Sequence, residues 1–317
     1  MSTARGVPET WELTGDDAWR TLQSTGWRRL LRDAYQRLRW ADGFSHVRSM
    51  AFMVSLAAIQ GLIAIVGLTT AFGGGRVADI VVRGLRGAAP GPVATLLTQA
   101  VVQARGVTLS HNYLALILGT VGWLLTTTTA LGQLERGLNR IYGIEQDRPS
   151  LQKYGLAFAL ALTVGMLLLA ALVILAFGRT IGDSIHYDLL SRAWDIARWP
   201  LGLAATGAAV GLLFRWCPRR HQPAWSWLAF GSGLAVVLWF VTTVAFGVFF
   251  RHSASFGRTY GPLAGVVALL LWSFATSLAV LFGAAVAAQL EAVRANAAAP
   301  KDEGKVERSE PEPAGRH

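Results

Sequence analysis

One cysteine, Cys217, stands in a chain of 317 residues, so neither an intrachain disulfide nor a cluster of thiolate metal ligands can form. Lysine is nearly as scarce, confined to Lys153, Lys301 and Lys305, and the basic character rests on arginine. The histidines, His46, His111, His186, His221, His252 and His317, include no pair three or four residues apart, the spacing that sets two imidazoles on one helix face. That argues against a zinc site and against a two-metal nuclease or phosphodiesterase. Asp and Glu number only 19, and none falls inside the long apolar runs, which removes the intramembrane carboxylate relay of proton pumps. The first 49 residues are polar with both signs of charge, lacking the short basic region and apolar core of a signal peptide. The first apolar run is therefore expected to insert by itself and stay.

What the chain has in quantity is apolar surface. It is 53% hydrophobic and 15% charged, with mean hydropathy +0.40, beyond what a soluble domain of this length carries. An all-α polytopic membrane protein is expected. A hydrocarbon core of about 30 Å takes about 20 apolar residues of helix, and six runs meet or approach that: residues 50–72, 113–131, 156–178, 201–216, 225–250 and 262–290. Pro200 precedes the fourth and Pro262 opens the sixth, where a missing N–H costs nothing. The fourth is short, about 24 Å at 1.5 Å per residue. In residues 16–41, Trp19, Leu22, Trp27, Leu30, Leu31, Ala34 and Leu38 recur at helical spacing with arginines on other faces, the pattern of one amphipathic helix in the headgroup plane. The organisation expected is a segment 1–49 with that helix, a six-helix domain 50–291, and a disordered tail 292–317. Between spans, residues 93–104 are apolar but too short to cross, and 180–199 suggest a surface helix.

The net charge of +10 would suggest nucleic acid in a soluble protein, but here an anionic lipid surface is the expected partner. Lys and Arg number eight in 1–49, four in 132–154, three in the fourth connection and five in the tail, against nine in the other three connections. By the positive-inside rule both termini are cytoplasmic, in a bacterial inner membrane.

The stretch 132–154 is the most suggestive. If helix continues past the membrane face, Leu134, Leu138, Ile141 and Tyr142 form one stripe, while Arg136 and Arg140 stand one turn apart on another. Two like charges at that spacing disfavour an isolated helix and gain if an anion lies between them. Glu135 and Asn139 form a further pair that could orient them. A lipid phosphate is the obvious anion. Gln60, the threonines 126–129 and Ser273 suit helix-to-helix hydrogen bonds, and Gly207 with Gly211, Gly261 with Gly265, and Gly283 with Ala287 mark close approaches.

GLNRIYGIEQDRPSLQKY after the second span, LFRWCPRRHQPAW between the fourth and fifth, and YGPLAGVVALLLWSFATSLAVLFGAAVAAQLE at the sixth resemble the YihY/BrkB family of bacterial inner-membrane proteins, once labelled ribonuclease BN. The resemblance runs from about Arg37 to Glu291. It implies six membrane helices, an inner-membrane address, no agreed biochemical activity and no cofactor. Asn139, Arg140, Tyr260, Gly261, Trp272 and Gly283 fall at the family's recurrent positions. Two positions depart: the family's first-span proline is replaced within Ala58, Ile59, Gln60, and its Gly-Ala-Glu reads Gly283, Ala284, Ala285. The expectation is a non-enzymatic protein that handles or transports a lipid or amphipathic anion, with Arg136, Asn139, Arg140 and Glu135 at the headgroup. The alternative is an envelope scaffold that recruits partner proteins or a second copy of itself.

Overall fold

The computed structural model describes residues 4–71, 89, 91–110, 114–184, 188–253, 256 and 259–301. These fold as α1 (Gly15–Thr25), α2 (Trp27–Trp40), α3 (Gly43–Ala71), α4 (Gly91–Ser110), α5 (Leu114–Ile141), α6 (Ser150–Ser184), α7 (Asp188–Trp216), α8 (Trp225–His252), a 3-10 turn (Gly261–Leu263) and α9 (Ala264–Arg294). The one β feature among them is an isolated antiparallel bridge between Ala4 and Lys301.

Side-chain volume dictates the packing. Every residue from Gly283 to Ala292 is buried, as expected of a helix stretch enclosed on all sides. It can be enclosed because its residues are small: a Cβ on Gly283 would come within 2.5 Å of the Gly231 carbonyl oxygen of α8. The backbones of α8 and α9 therefore touch. On α3 and α5 the same device recurs, with Gly67 against Leu116, Gly119 against Ala64, and Gly61 against Trp123. These pairings make α3 antiparallel to α5, and Gly231–Gly283 with Thr243–Trp272 make α8 antiparallel to α9. Within the α3–α5 seam, Thr126 Oγ1 lies 3.0 Å from Gln60 Oε1, which satisfies two polar groups where lipid offers no partner. A second cluster gathers Val93, Leu97 and Val101 of α4 against Leu62, Ala268 and Leu269.

All-α polytopic architecture holds, with differences in detail. Five described helices have segments long and apolar enough to cross a membrane: Gly43–Ile65, Ser150–Ala171, Arg192–Trp216, Trp225–His252 and Ala264–Arg294. The expected second span falls on α5, which is not one of the five and lies along α3. The expected short fourth span is not short. Pro200 sits inside α7, so residues 188–199 of the predicted surface helix and the span after it share one 29-residue helix, about 43 Å long, while residues 180–184 end α6. The single amphipathic helix expected over 16–41 is two, broken at Gly26, whose φ of +78° suits a residue without Cβ. On α2 the stripe faces protein, with Leu30, Ala34 and Leu38 in the main core, whereas Trp19 and Trp27 of the expected stripe stay exposed.

Residues 4–14 form a strap across the end of the bundle, with Val7 N–H bonded to the Tyr142 carbonyl and Leu13 carbonyl to Ala224 N–H. The start of the tail is tied to it, since Arg5 N–H donates to Pro300 O. Residues 302–317 of the tail and 72–88 of the first outer connection lie outside the described residues.

Overpacking of such a contact costs about 1–3 kcal/mol. Gly283→Ala is therefore expected to lower the thermal midpoint in detergent, whereas Gly247→Ala, where a Cβ meets nothing within 4 Å, does not lower it, alanine being the better helix former.

Candidate functional site

Both described ends of the chain and the loops after α5 and α7 converge on one face, and beneath them lies a polar network shut away from water. Glu291, in the last turn of α9, is fully buried. Its Oε1 accepts from Arg220 Nη2 and from the Thr10 hydroxyl of the strap. Arg220 also donates to the carbonyls of Val7 and Pro8, and its guanidinium stacks 4.5 Å from the Tyr142 ring centroid. Arg37, at 0% exposure, donates to Gln289 Oε1, Arg5 O and Ile141 O. Burial lowers the Arg37 pKa to about 10, which leaves it charged at neutral pH. Tyr142 is raised above the ordinary phenol value by burial first and by Glu291 next. Leu134, Leu138, Ile141 and Tyr142, the predicted stripe, are all buried.

The last two turns of α5 carry the predicted headgroup residues, and the structure sends them to different partners. Glu135 is buried and faces Arg148 at 3.4 Å. Arg148 in turn caps the end of α7, donating to the carbonyls of Cys217 and Pro218. Asn139 is buried, accepting from Arg219 N–H at 2.9 Å and donating to Asp147 at 3.1 Å. Arg140 donates to the Ile144 and Glu145 carbonyls. Arg136 stays half-exposed, 3.5 Å from Asp147 Oδ2, and Lys153 approaches the same oxygen at 3.8 Å. Burial pushes the neighbouring Cys217 thiol up to about 12.

The other predicted positions lie elsewhere. Gly283 forms the α8–α9 contact, Trp272 Nε1–H donates to Thr243 Oγ1 at 3.0 Å, Gly261 has φ +49°, and the Tyr260 ring is 4.7 Å from that of Phe256. Between α7 and α8 runs an open apolar groove of about 470 Å³, lined by Leu203, Gly207, Gly211, Trp225, Ser232 and Gly233 among others. Among the described residues no group of His, Cys, Asp and Glu is placed to hold a metal ion.

Sequence reasoning missed the network of Arg37, Arg220 and Glu291. A signal existed for Arg37, which shares the stripe of Leu30, Ala34 and Leu38. Glu291 gave none, being one residue past the last apolar run.

The family model described as "Virulence factor BrkB" matches residues 34–308. Among curated relatives, a "Putative ribonuclease-like protein YfkH" of Bacillus subtilis is 22% identical over 54% of this chain and 64% of its own length. A UPF0761 membrane protein of Xanthomonas oryzae is 27% identical over 56% of this chain and 41% of its own, and one of Halorhodospira halophila is 28% identical over 56% and 39%. The chain thus spans less than two thirds of the length of these relatives. No solved structure matches.

Removing one partner of a buried ion pair costs about 3–5 kcal/mol, far more than replacing both by apolar groups. Glu291→Gln is expected to destabilise the protein in detergent strongly, and Glu291→Leu with Arg220→Met to recover most of the loss in thermal midpoint. Cys217 should resist maleimide at pH 8 until the chain is unfolded, because neither access nor thiolate is available.

Proposed function

The chain belongs to the virulence factor BrkB family of multi-pass membrane proteins, and from that premise we propose that it handles or transports a lipid or an amphipathic anionic solute. The observation that supports this reading is the α7–α8 groove. A Cβ on Gly233 would meet nothing within 4 Å and one on Gly207 only Val236 at 4.0 Å, so the space is unclaimed by protein. Its lining is apolar apart from Ser232, which suits an acyl chain or another apolar body. Trp225 stands in the first turn of α8, and aromatic rings of this kind favour headgroup depth. In the proposed orientation the face that carries both termini lies in the cytoplasm of a bacterial inner membrane, where anionic lipids meet its arginines. Arg136 is the exposed cation of the predicted headgroup set, while Glu135, Asn139 and Arg140 hold the elbow that presents it.

This reading assigns no catalytic residue and no cofactor. The alternative, an envelope scaffold, draws support from the outer face of α1 and α2, where Trp19, Trp27 and Tyr35 are exposed. Crosslinking separates the two, since a scaffold is recovered with one companion in constant ratio.

Filling the groove with Gly207→Leu and Gly211→Leu is expected to reduce lipid or solute movement in reconstituted vesicles to that of protein-free vesicles. Unchanged movement by a folded variant refutes the groove. For orientation, Gln146→Cys, on the exposed loop after α5, should react with an impermeant thiol reagent only after the cells are opened.

A further inference from the structure

We propose that Arg136, Lys153 and the first turn of α6 form a binding site for a phosphate-bearing lipid headgroup, in which the Asp147 carboxylate stands as an internal substitute. Lys153 lies in the first turn of a helix whose neighbours Ser150, Leu151 and Gln152 are all exposed, yet its own side chain is only 5% exposed. Gly132 of α5 makes room for it, since a Cβ there would lie 3.3 Å from Lys153 Cε. The buried ammonium has no hydrogen-bond partner, and Asp147 Oδ2 is 3.8 Å away.

That same oxygen is 3.5 Å from Arg136 Nε. One carboxylate oxygen thus faces two cations from beyond the roughly 2.7–2.9 Å of a charge-assisted hydrogen bond. It reaches neither, because Asn139 holds the other oxygen of Asp147 at 3.1 Å. Arg219 adds a third cation, resting on the carbonyls of Gln146 and Asp147. Two cations thus face one carboxylate with a third on the backbone beside it, and the first-turn amides of α6 add the positive end of a 35-residue helix. A phosphate brings three strong acceptor oxygens and more negative charge, so it bridges cations that a tethered carboxylate leaves apart.

The exposed face of α6 decides the source of the phosphate. Leu151, Tyr154, Phe158, Leu162 and Met166 form a strip of exposed large apolar side chains, recurring every three or four residues down from the site. Ser150–Ala171 is long and apolar enough to cross a membrane, so a phosphate held at its first turn sits at headgroup depth, beside the acyl chains that cover this strip. The inference rests on the lipid-handling reading only for this choice of source, and the site lies on α5 and α6, apart from the α7–α8 groove.

The test is lipid retention, read without movement. The full chain in phosphatidylcholine nanodiscs doped with phosphatidic acid is released into native mass spectrometry, and bound phosphatidic acid is counted per protein. Lys153→Gln and Arg136→Gln are expected to weaken retention at least about tenfold. Arg39→Gln, on the exposed side of α2, leaves it unchanged, and Asp147→Asn strengthens it by removing the competitor. Where Lys153→Gln fails to fold, Lys153→Arg must retain the lipid and Asp147→Asn must still gain it. Retention indifferent to Lys153 or Arg136 in folded protein, or weakened by Asp147→Asn, overturns the site. Competition by inorganic phosphate overturns the lipid source. A protein that retains phosphatidic acid through Lys153 yet moves nothing refutes the transport reading alone, and one that moves lipid while retention ignores Lys153 refutes this site alone.

Discussion

A carboxylate that water cannot reach sets the terms for the whole end of the bundle that carries the chain termini. Glu291 follows eight consecutive buried residues of α9, so it is committed to the interior before its charge is met. An isolated buried ion costs several kcal/mol even after relaxation, and the answer here is drawn from three distant segments: Arg220 from the α7–α8 loop, Thr10 from the strap, and Arg37 beside it on Gln289. The strap is ordered because its carbonyls are needed by those arginines. Val7 and Pro8 serve Arg220, and Arg5 serves Arg37. Polar satisfaction fastens a segment whose own composition promised no structure.

The same residue type seals one place in this bundle and opens another. Gly231 and Gly283 are spent on backbone contact, and nothing larger fits between α8 and α9. Gly207 and Gly233 face almost nothing, so the missing side chains leave the groove between α7 and α8 empty of protein. Sequence spacing marks both as small faces and cannot tell them apart, because closeness depends on which helix lies opposite. The distinction matters for function: small residues that close a seam stabilise the fold, whereas small residues that keep a seam open lower stability and need another explanation.

Hydrophobic runs were legible because bilayer thickness leaves a strong length signal, and the helices of the bundle fall where the apolar runs lie. Boundaries were less so. Pro200 marks a start by sequence because an interior proline is costly, yet α7 continues through it, and the hydropathy minimum around Arg192 and Arg198 conceals one helix behind two signals. The amphipathic stripe of α2 was correct in period but silent on its partner: an interfacial helix and a helix docked on α9 bury the same face. Arg136 and Arg140 share a turn, but a helix register says nothing of the loop that follows it. Asp147 and the carbonyls of Ile144 and Glu145 come from that loop, and they draw the two guanidiniums to separate places.

The positive-inside bias itself acquires a second cause. Arg148 reaches the carbonyls that end α7 and Arg140 those just past α5, while Arg215 serves the loop carbonyls of Gln222 and Pro223. Helix C-termini leave carbonyls unsatisfied and carry partial negative charge, and a guanidinium answers both with several donors in one plane. Most of the arginines near the loops are therefore spent on the protein, which a count of charges per loop cannot reveal. Arg136 and Lys153 differ in kind. They share a single carboxylate at distances too long to satisfy either, on the one elbow where a small residue has been kept to bury a lysine. If charge alone set their placement, an exposed lysine would serve equally well and Gly132 would have no purpose beside it. The proposed headgroup site would give this desolvated ammonium a partner more anionic than Asp147.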